Sequence, residues 1–160
     1  MVLCSYHHHN TEKVANVFAR VLGAQVKTPR QVNPEELTVF DLVGFGSGIY
    51  SSNVHGDLMV FAEKLPEKAG GKALIFSTSG APSFFDRHDD TYREKYMHEC
   101  HMQLRKKLQA KGYSILGEFS CPGFNTNSFL KVFGGINKGR PDVQDLKKAE
   151  ELQGGSSRSC

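Results

Sequence analysis

The fold is decided near the N-terminus by Val2-Leu3-Cys4-Ser5-Tyr6-His7-His8-His9-Asn10-Thr11-Glu12-Lys13-Val14-Ala15. A short apolar run ends in a cluster of polar and imidazole side chains, and an amphipathic pattern follows. The apolar residues of that pattern recur at helical spacing; they are Val14, Val17, Phe18, Val21 and Leu22. The stretch therefore predicts a buried strand, a tight loop, and a helix whose N-terminus points back at the end of the strand.

The loop between this strand and this helix has the chemistry of an anion site. Asn10 or Thr11 can cap the helix, because a short side-chain oxygen accepts a hydrogen bond from a backbone N–H. The first turn of a helix attracts anions through its N–H groups and its dipole, and three imidazoles stand beside it. We expect a phosphate monoester here. One alternative is a solvated loop that happens to contain histidines. An expression tag fits poorly, because the three histidines lie inside a strand-to-helix junction.

The composition is that of a soluble globular protein with one domain. The chain has 160 residues, of which 39% are hydrophobic and 23% charged, which suffices for a substantial core. No apolar run approaches the roughly 18 residues of a membrane span, and no signal peptide precedes the first strand. The net charge is +3 without a dense basic block. We therefore expect a cytoplasmic protein that binds neither nucleic acid nor membranes.

The cysteine and histidine spacings do not predict a metal site. The four cysteines are scattered without a C-x-x-C pair, which indicates a reducing compartment; they are Cys4, Cys100, Cys121 and Cys160. His98 and His101 share one face of a helix, but no cysteine or carboxylate is clearly placed to complete a site. Cys121 follows the last strand at the expected ligand edge, where packing is a commoner role for a cysteine than redox chemistry.

Strand and helix patterns alternate along the rest of the chain. Strands are predicted at 24–27, 40–46, 72–76 and 113–119, and helices at 58–65, 90–111 and 141–152. The alternation predicts an α/β domain over residues 1–153, with a parallel sheet covered by helices on both faces. Residues 154–160 are rich in Gly and Ser and are predicted to form a disordered tail.

Three loops of small and polar residues follow strands of this sheet, at 5–11, 47–53 and 77–85. Ligands of such sheets bind outside the carboxyl ends of the strands. Because the three loops lie at that same edge, they predict one extended ligand with a phosphate at one end.

These segments resemble the flavodoxins, and the resemblance covers roughly residues 2–153. It rests on Asn10-Thr11-Glu12-Lys13-Val14-Ala15, on 41–50 and on Phe76-Ser77-Thr78-Ser79-Gly80. It implies a three-layer, doubly wound, five-stranded parallel sheet that binds FMN. In flavodoxins the first loop holds the phosphate, and the other two sandwich and hydrogen-bond the isoalloxazine ring.

By this resemblance, residues 5–11 would hold phosphate, Tyr50 would lie against the flavin, and residues 78–80 would meet its polar edge. Phe84 and Phe85 would either cover the flavin or close the loop against the domain. The predicted cofactor-binding residues are Ser5, Tyr6, His7, His8, His9, Asn10, Thr11, Ser47, Gly48, Ile49, Tyr50, Ser51, Ser77, Thr78, Ser79, Gly80 and Phe84.

The chain departs from the flavodoxin pattern in three ways. His9 stands where the phosphate loop S/T-x-T-G-x-T has glycine, so imidazole N–H groups would replace hydroxyl donors. Ser51-Ser52 replaces a glycine-containing peptide beside the flavin, so strong stabilisation of a neutral semiquinone is not expected. The net charge is mildly basic rather than strongly acidic, which indicates an unusual redox partner.

The resemblance favours an electron carrier between redox partner proteins, in which the flavin supplies the redox chemistry. It could act as a monomer or a homodimer. One alternative is an FMN-dependent NAD(P)H:quinone-type reductase, although the sequence has no G-x-G-x-x-G motif. The other is a binding module that keeps the fold without flavin.

Overall fold

A computed structural model of the chain describes residues 1–81, 90–126 and 134–156. In these ranges the strands are β1 (Val2–Cys4), β2 (Leu42–Tyr50), β3 (Asn53–Val54), β4 (Gly71–Ser79) and β5 (Tyr113–Pro122). The α-helices are α1 (Asn10–Leu22), α2 (Gly56–Glu63), α3 (Asp90–Ala110) and α4 (Val143–Ser156). Two short 3-10 helices, Pro29–Gln31 and Pro34–Val39, lie between α1 and β2.

The central sheet has the strand order β1-β2-β4-β5, and these four strands are parallel. Outside β1, Lys27 forms a parallel bridge with Val2. The Leu3 N–H donates to the Lys27 carbonyl over 2.9 Å, and the Lys27 N–H donates to the Met1 carbonyl over 3.0 Å. The strand predicted at 24–27 is thus the fifth parallel segment, reduced to one bridge. The flavodoxin-like three-layer arrangement predicted from the sequence is confirmed.

The two faces of the sheet pack against different helices, because successive side chains of a strand point to opposite sides. On one side Ile75 packs with Leu104 and Leu108 of α3. On the other side Phe76 packs with Phe18 of α1, their ring centroids 5.2 Å apart. Two buried apolar layers therefore hold the sheet between its helices.

The second predicted loop is mostly strand. β2 continues to Tyr50, because Ser47 and Gly48 pair with β4 and because Ile49 and Tyr50 pair with the antiparallel strand β3. Only Ser51 and Ser52 form the turn, with φ values of 48° and 59°. Positive φ at both positions is the geometry of a type I′ hairpin, which usually takes Asn or Gly.

The predicted ends of other elements also shift. β5 continues to Pro122 because Ser79 and Pro122 still pair across β4 and β5. Helix α4 continues through Ser156, so residues 154–156, which were predicted to belong to a disordered tail, are helical. Each further helical residue adds a hydrogen bond once the helix is formed. Residues 157–160 lie outside the described residues.

Candidate functional site

The carboxyl ends of β1, β2 and β4 converge on a cavity of about 70 Å³. All three segments singled out in the sequence contribute to its walls. The lining residues are Ser5, Tyr6, His7, Asn10, Thr11, Gly48, Ile49, Tyr50, Thr78, Ser79, Gly80, Phe124 and Asn125. The last two follow β5 and were not among the residues predicted from sequence.

The floor of the cavity is fixed by hydrogen bonds between distant segments. Thr11 Oγ1 lies 2.8 Å from Thr78 Oγ1, which joins the first turn of α1 to the end of β4. Asn125 Nδ2 donates to the Gly80 carbonyl over 3.1 Å. A Cβ atom at Gly80 would lie 2.6 Å from that nitrogen, so a larger residue there would displace the Asn125 side chain. The first turn of α1 and the segment after β5 are thus both joined to the end of β4.

Two polar atoms at this junction are buried without a hydrogen-bond partner. They are Ser5 Oγ and Asn10 Oδ1; the Asn10 Nδ2 group already donates to the Phe124 carbonyl over 2.8 Å. His9, the residue before α1, makes no side-chain cap of the helix. An unpaired buried polar atom costs about 1–3 kcal/mol. A ligand that accepts from Ser5 and donates to Asn10 would remove that cost.

The three histidines of the loop point in different directions. His7 lines the cavity, with its ring centroid 5.8 Å from that of Tyr50. His8 Nε2 lies 2.7 Å from Thr126 Oγ1, and its ring contacts that of Phe124 at a tilt of 47°. His9 Nδ1 lies 2.6 Å from Glu12 Oε2, outside the cavity, and the His9 side chain is 75% exposed. Of the three, His7 has the position that suits a ligand contact.

The backbone of this loop is left-handed at His8 and His9, with φ values of 55° and 52°. The sequence predicted this difficulty for His9, which replaces a glycine, but not for His8. Non-glycine residues resist positive φ because Cβ approaches the following carbonyl. The hydrogen bonds of His8 to Thr126 and of His9 to Glu12 hold the loop in this conformation.

Aromatic rings form one wall beside the cavity. The Tyr6 hydroxyl donates to Asp57 Oδ2 over 2.8 Å, and this hydrogen bond raises the pKa of Tyr6 to about 12. The ring of His55 lies 4.6 Å from Tyr6 and 5.3 Å from Tyr50, between centroids. Sequence reasoning missed His55, which caps α2: its Nδ1 accepts a hydrogen bond from the Asp57 N–H over 3.1 Å.

Three predicted site residues have structural positions away from the cavity. Ser47 is fully buried, and its hydroxyl accepts from the His55 N–H over 2.8 Å. Ser77 is also fully buried, with Oγ 2.8 Å from His101 Nε2. Ser51 lies in the hairpin turn. Phe84 and Phe85 lie outside the described residues.

Tyr96 on α3 is a second residue that sequence reasoning missed. Burial raises the pKa of Tyr96, whose hydroxyl lies close to Cys100, Ser79 and Ser52. The side chain therefore connects α3 with the hairpin turn and with the end of β4. No local pattern in the sequence indicates this contact, because its partners are far apart along the chain.

The histidine pair on α3 belongs to a buried ionic network. Glu118 of β5 lies 2.9 Å from His101 Nδ1 and 3.7 Å from His98 Nδ1. The sequence alone did not place a carboxylate beside these histidines, but the fold does, because β5 brings Glu118 beneath α3. Arg105 binds both carboxylate oxygens of Glu118, at 2.5 and 2.7 Å. Within the described ranges, no cluster of three or more His, Cys, Asp and Glu residues is arranged to hold a metal ion.

Cys121 is 5% exposed and belongs to the apolar layer that contains Phe119 and Leu3. This position suits the packing role expected for it.

None of the helices in the described segments is both long enough and apolar enough to cross a bilayer.

Comparison with known proteins identifies a relative that matches most of this chain. No family model matches it. It is 43% identical over 148 residues to MJ0298 of Methanocaldococcus jannaschii, a protein described as uncharacterized; the match covers 92% of this chain and 90% of the relative.

Similar solved structures are flavodoxins and a larger oxidoreductase. Oxidised flavodoxin 2 from Bacillus cereus superposes with a TM-score of 0.67 at 14% identity, covering 99% of this chain and 97% of that one. Fusobacterium nucleatum flavodoxin bound to flavin mononucleotide gives 0.63 at 9% identity, covering 98% and 95%. Rubredoxin oxygen:oxidoreductase from Desulfovibrio gigas gives 0.62 at 13% identity, covering 94% of this chain and 33% of that one. The chain therefore belongs to the same family as MJ0298, and its fold is flavodoxin-like.

Proposed function

We propose that the protein binds FMN non-covalently at this cavity and carries electrons between protein redox partners. The observation that carries the proposal is the pair of unpaired buried atoms, Ser5 Oγ and Asn10 Oδ1, beside the N-terminus of α1. A phosphate monoester accepts hydrogen bonds from hydroxyl and backbone N–H groups, and the helix dipole favours its charge. The likeness of the fold to a flavodoxin bound to FMN supports the same ligand class.

Different residues would contact the phosphate end and the flavin end of FMN. Ser5, His7 and the first turn of α1 would hold the phosphate, and Asn10 Oδ1 would accept from a ribityl hydroxyl. The enclosed volume of about 70 Å³ is below the roughly 300–1,000 Å³ of sites that enclose a whole ligand. The flavin ring would therefore lie at the mouth of the cavity, against Tyr50, with residues 78–80 at its polar edge.

FMN would supply the one- and two-electron chemistry. The part of the chain is to bind the phosphate, to exclude water with the aromatic wall of Tyr6, Tyr50 and His55, and to join the first turn of α1 to the end of β4 through Thr11 and Thr78. The net charge of +3 suits partner proteins with acidic docking surfaces.

The test is a titration of the purified protein with FMN and, separately, with riboflavin. We expect FMN to bind with quenching of flavin fluorescence and with protection against thermal unfolding. Riboflavin, which has no phosphate, should bind much more weakly. If FMN causes neither quenching nor thermal protection, the flavin proposal is wrong. If the two ligands bind equally well, the loop at 5–11 is not a phosphate site.

A further inference from the structure

The crossover that precedes β2 contains no α-helix, and a groove remains between it and α2. Parallel strands are usually joined through an α-helix that packs on the sheet. Residues 28–41 contain only the 3-10 helices Pro29–Gln31 and Pro34–Val39. Between this segment and α2, a groove of about 650 Å³ remains. Its volume lies in the range of roughly 300–1,000 Å³ that is typical of small-molecule sites.

The groove carries two cations without acidic partners. Arg30 lies on the wall formed by the crossover, and Lys64 lies at the end of α2. Both side chains are exposed, and neither forms an ion pair with any residue in the described part of the chain. Asp57 is the acid of the groove, and its Oδ2 atom already accepts the hydrogen bond of Tyr6. The groove therefore has an excess of positive charge.

The groove also offers apolar surface beside these cations. Val60 on α2 is 50% exposed, whereas the neighbouring Phe61 is only 4% exposed. Val32 completes this surface from the crossover side. Exposed apolar atoms and two positive charges in one groove favour a ligand with an apolar body and an anionic group.

The crossover wall is rigid before any ligand binds. The Thr28 N–H donates to Gln31 Oε1 over 2.9 Å, and the Gln31 N–H donates back to the Thr28 carbonyl over 3.0 Å. Pro29 and Pro34 fix the backbone at the start of each 3-10 helix. A preorganised wall reduces the entropy lost on binding.

We propose that this groove binds a small organic anion, such as an aromatic carboxylate or sulfonate. The anionic group would lie between Arg30 and Lys64, and the apolar body would lie on Val60. Tyr6 lines both the groove and the cavity at the strand ends, so the bound molecule would contact the side chain that separates the two. The proposal does not require FMN to bind.

The experiment compares two fluorescent dyes on the full-length protein. Anilinonaphthalene sulfonate has an apolar body and an anionic group, and phenylnaphthylamine has a similar body without the charge. We expect the sulfonate to bind at least threefold more tightly, and its affinity to fall with added salt. Near-UV circular dichroism of each variant verifies that its tertiary structure is retained.

Four variants locate the site. Arg30→Gln and Lys64→Gln should each weaken the sulfonate about two- to fivefold, as expected for exposed charges, and leave the uncharged dye unchanged. Val60→Ser should weaken both dyes about threefold. Lys147→Gln is the matched control, because Lys147 is 73% exposed on α4 and lies outside the groove; it should change neither affinity.

Three results would overturn the proposal. The first is equal affinity of the two dyes for the wild-type protein. The second is an unchanged affinity of the sulfonate for the double variant Arg30→Gln/Lys64→Gln. The third is a loss caused by Phe40→Ser but not by Val60→Ser, because Phe40 lines a separate cavity of about 540 Å³ near Met1 and Leu22.

Discussion

Glu118 Oε2 lies 2.9 Å from Nδ1 of His101, a residue of α3 that is fully buried. Burial opposes ionisation of Glu118, but hydrogen bonds from His101 and Arg105 outweigh it and lower the pKa of Glu118 to about 2. For His101, burial is the largest effect and lowers the pKa, against the opposite influence of Glu118. A neutral His101 beside an ionised Glu118, whose charge is balanced by Arg105, agrees with both directions.

The first prediction concerns acid stability. A carboxylate with a depressed pKa stabilises the fold above its unfolded pKa, and this stabilisation is lost as the pH falls toward the folded pKa. For Glu118 the loss should occur between pH 4.5, the ordinary pKa of the carboxyl group, and about pH 2. It should amount to about 2 kcal/mol after an allowance for solvent screening. Urea unfolding at several pH values measures it.

The variant Glu118→Gln tests this assignment. It should lose about 2 kcal/mol at pH 7, because Arg105 and His101 lose their anionic partner, and it should show a flatter pH dependence between pH 4.5 and 2. The exposed acid Glu151 provides the control, since Glu151→Gln should leave both properties unchanged. An acid dependence in Glu118→Gln as steep as in the wild type would contradict the prediction.

The second prediction separates the histidines of the phosphate loop. His7→Asn should weaken FMN about tenfold, because one charge-assisted hydrogen bond contributes about 1.5–3 kcal/mol, and should leave riboflavin unchanged. His9→Asn is the matched control, because His9 contacts Glu12 outside the cavity and Asn tolerates left-handed backbone. Calorimetric titration measures both. Equal losses in the two variants would mean that the loop acts through its conformation and not through His7.

Much of this site follows from periodicity in the sequence. The apolar run at 2–4 and the spacing of Val14 and Phe18 specify a strand and a helix, and parallel topology then brings three strand ends together. The direction of each histidine does not follow, because it depends on Glu12, Thr126 and Phe124. Two of these three partners are more than a hundred positions away in the chain.

The contacts made by α3 could not be predicted from local pattern either. Glu118 alternates with apolar residues along β5, which looks like an ordinary exposed position of a half-buried strand. Burial beneath α3, with Arg105 as its counter-ion, is a property of the tertiary structure. The same holds for Tyr96, whose partners Ser52 and Ser79 belong to two other elements.

The third prediction concerns the hairpin turn. Ser52→Gly should raise the free energy of unfolding by about 0.5–1 kcal/mol, because Ser52 has a φ of 59° and glycine adopts that conformation without strain. Ser114→Gly makes the same chemical change within strand β5 and should destabilise the protein. Thermal unfolding compares the two. Destabilisation by Ser52→Gly would show that the serine hydroxyl matters more than the backbone strain.

The fourth prediction tests the link from α3 to this turn. Tyr96→Phe removes the hydroxyl that lies close to Ser52 and Ser79 but keeps the ring. Hydrogen exchange at the amides of Ser52 and Asn53 should become about tenfold faster, corresponding to one lost hydrogen bond of about 1 kcal/mol or slightly more. Exchange in α4 should not change. Uniformly faster exchange would indicate global destabilisation instead.

The fifth prediction distinguishes a carrier from a reductase. If FMN binds, the flavin should stay oxidised for many minutes with NADH or NADPH alone in the absence of oxygen, because the sequence has no nicotinamide-binding motif. Dithionite or a ferredoxin-reducing system should bleach it readily. Absorbance near the flavin maximum follows the reaction. Rapid bleaching by a nicotinamide, followed by turnover with a quinone, would favour the reductase.

The bridge between Val2 and Lys27 has a consequence for self-association. Exposed strand edges pair with other chains and promote aggregation, and short edges bearing lysine resist this. β1 has only three residues, and the segment outside it pairs at the single position Lys27. On this side the sheet therefore presents a very short edge with a charged side chain. We expect little tendency toward edge-to-edge fibril formation there, even though β1 itself is among the most apolar segments of the chain.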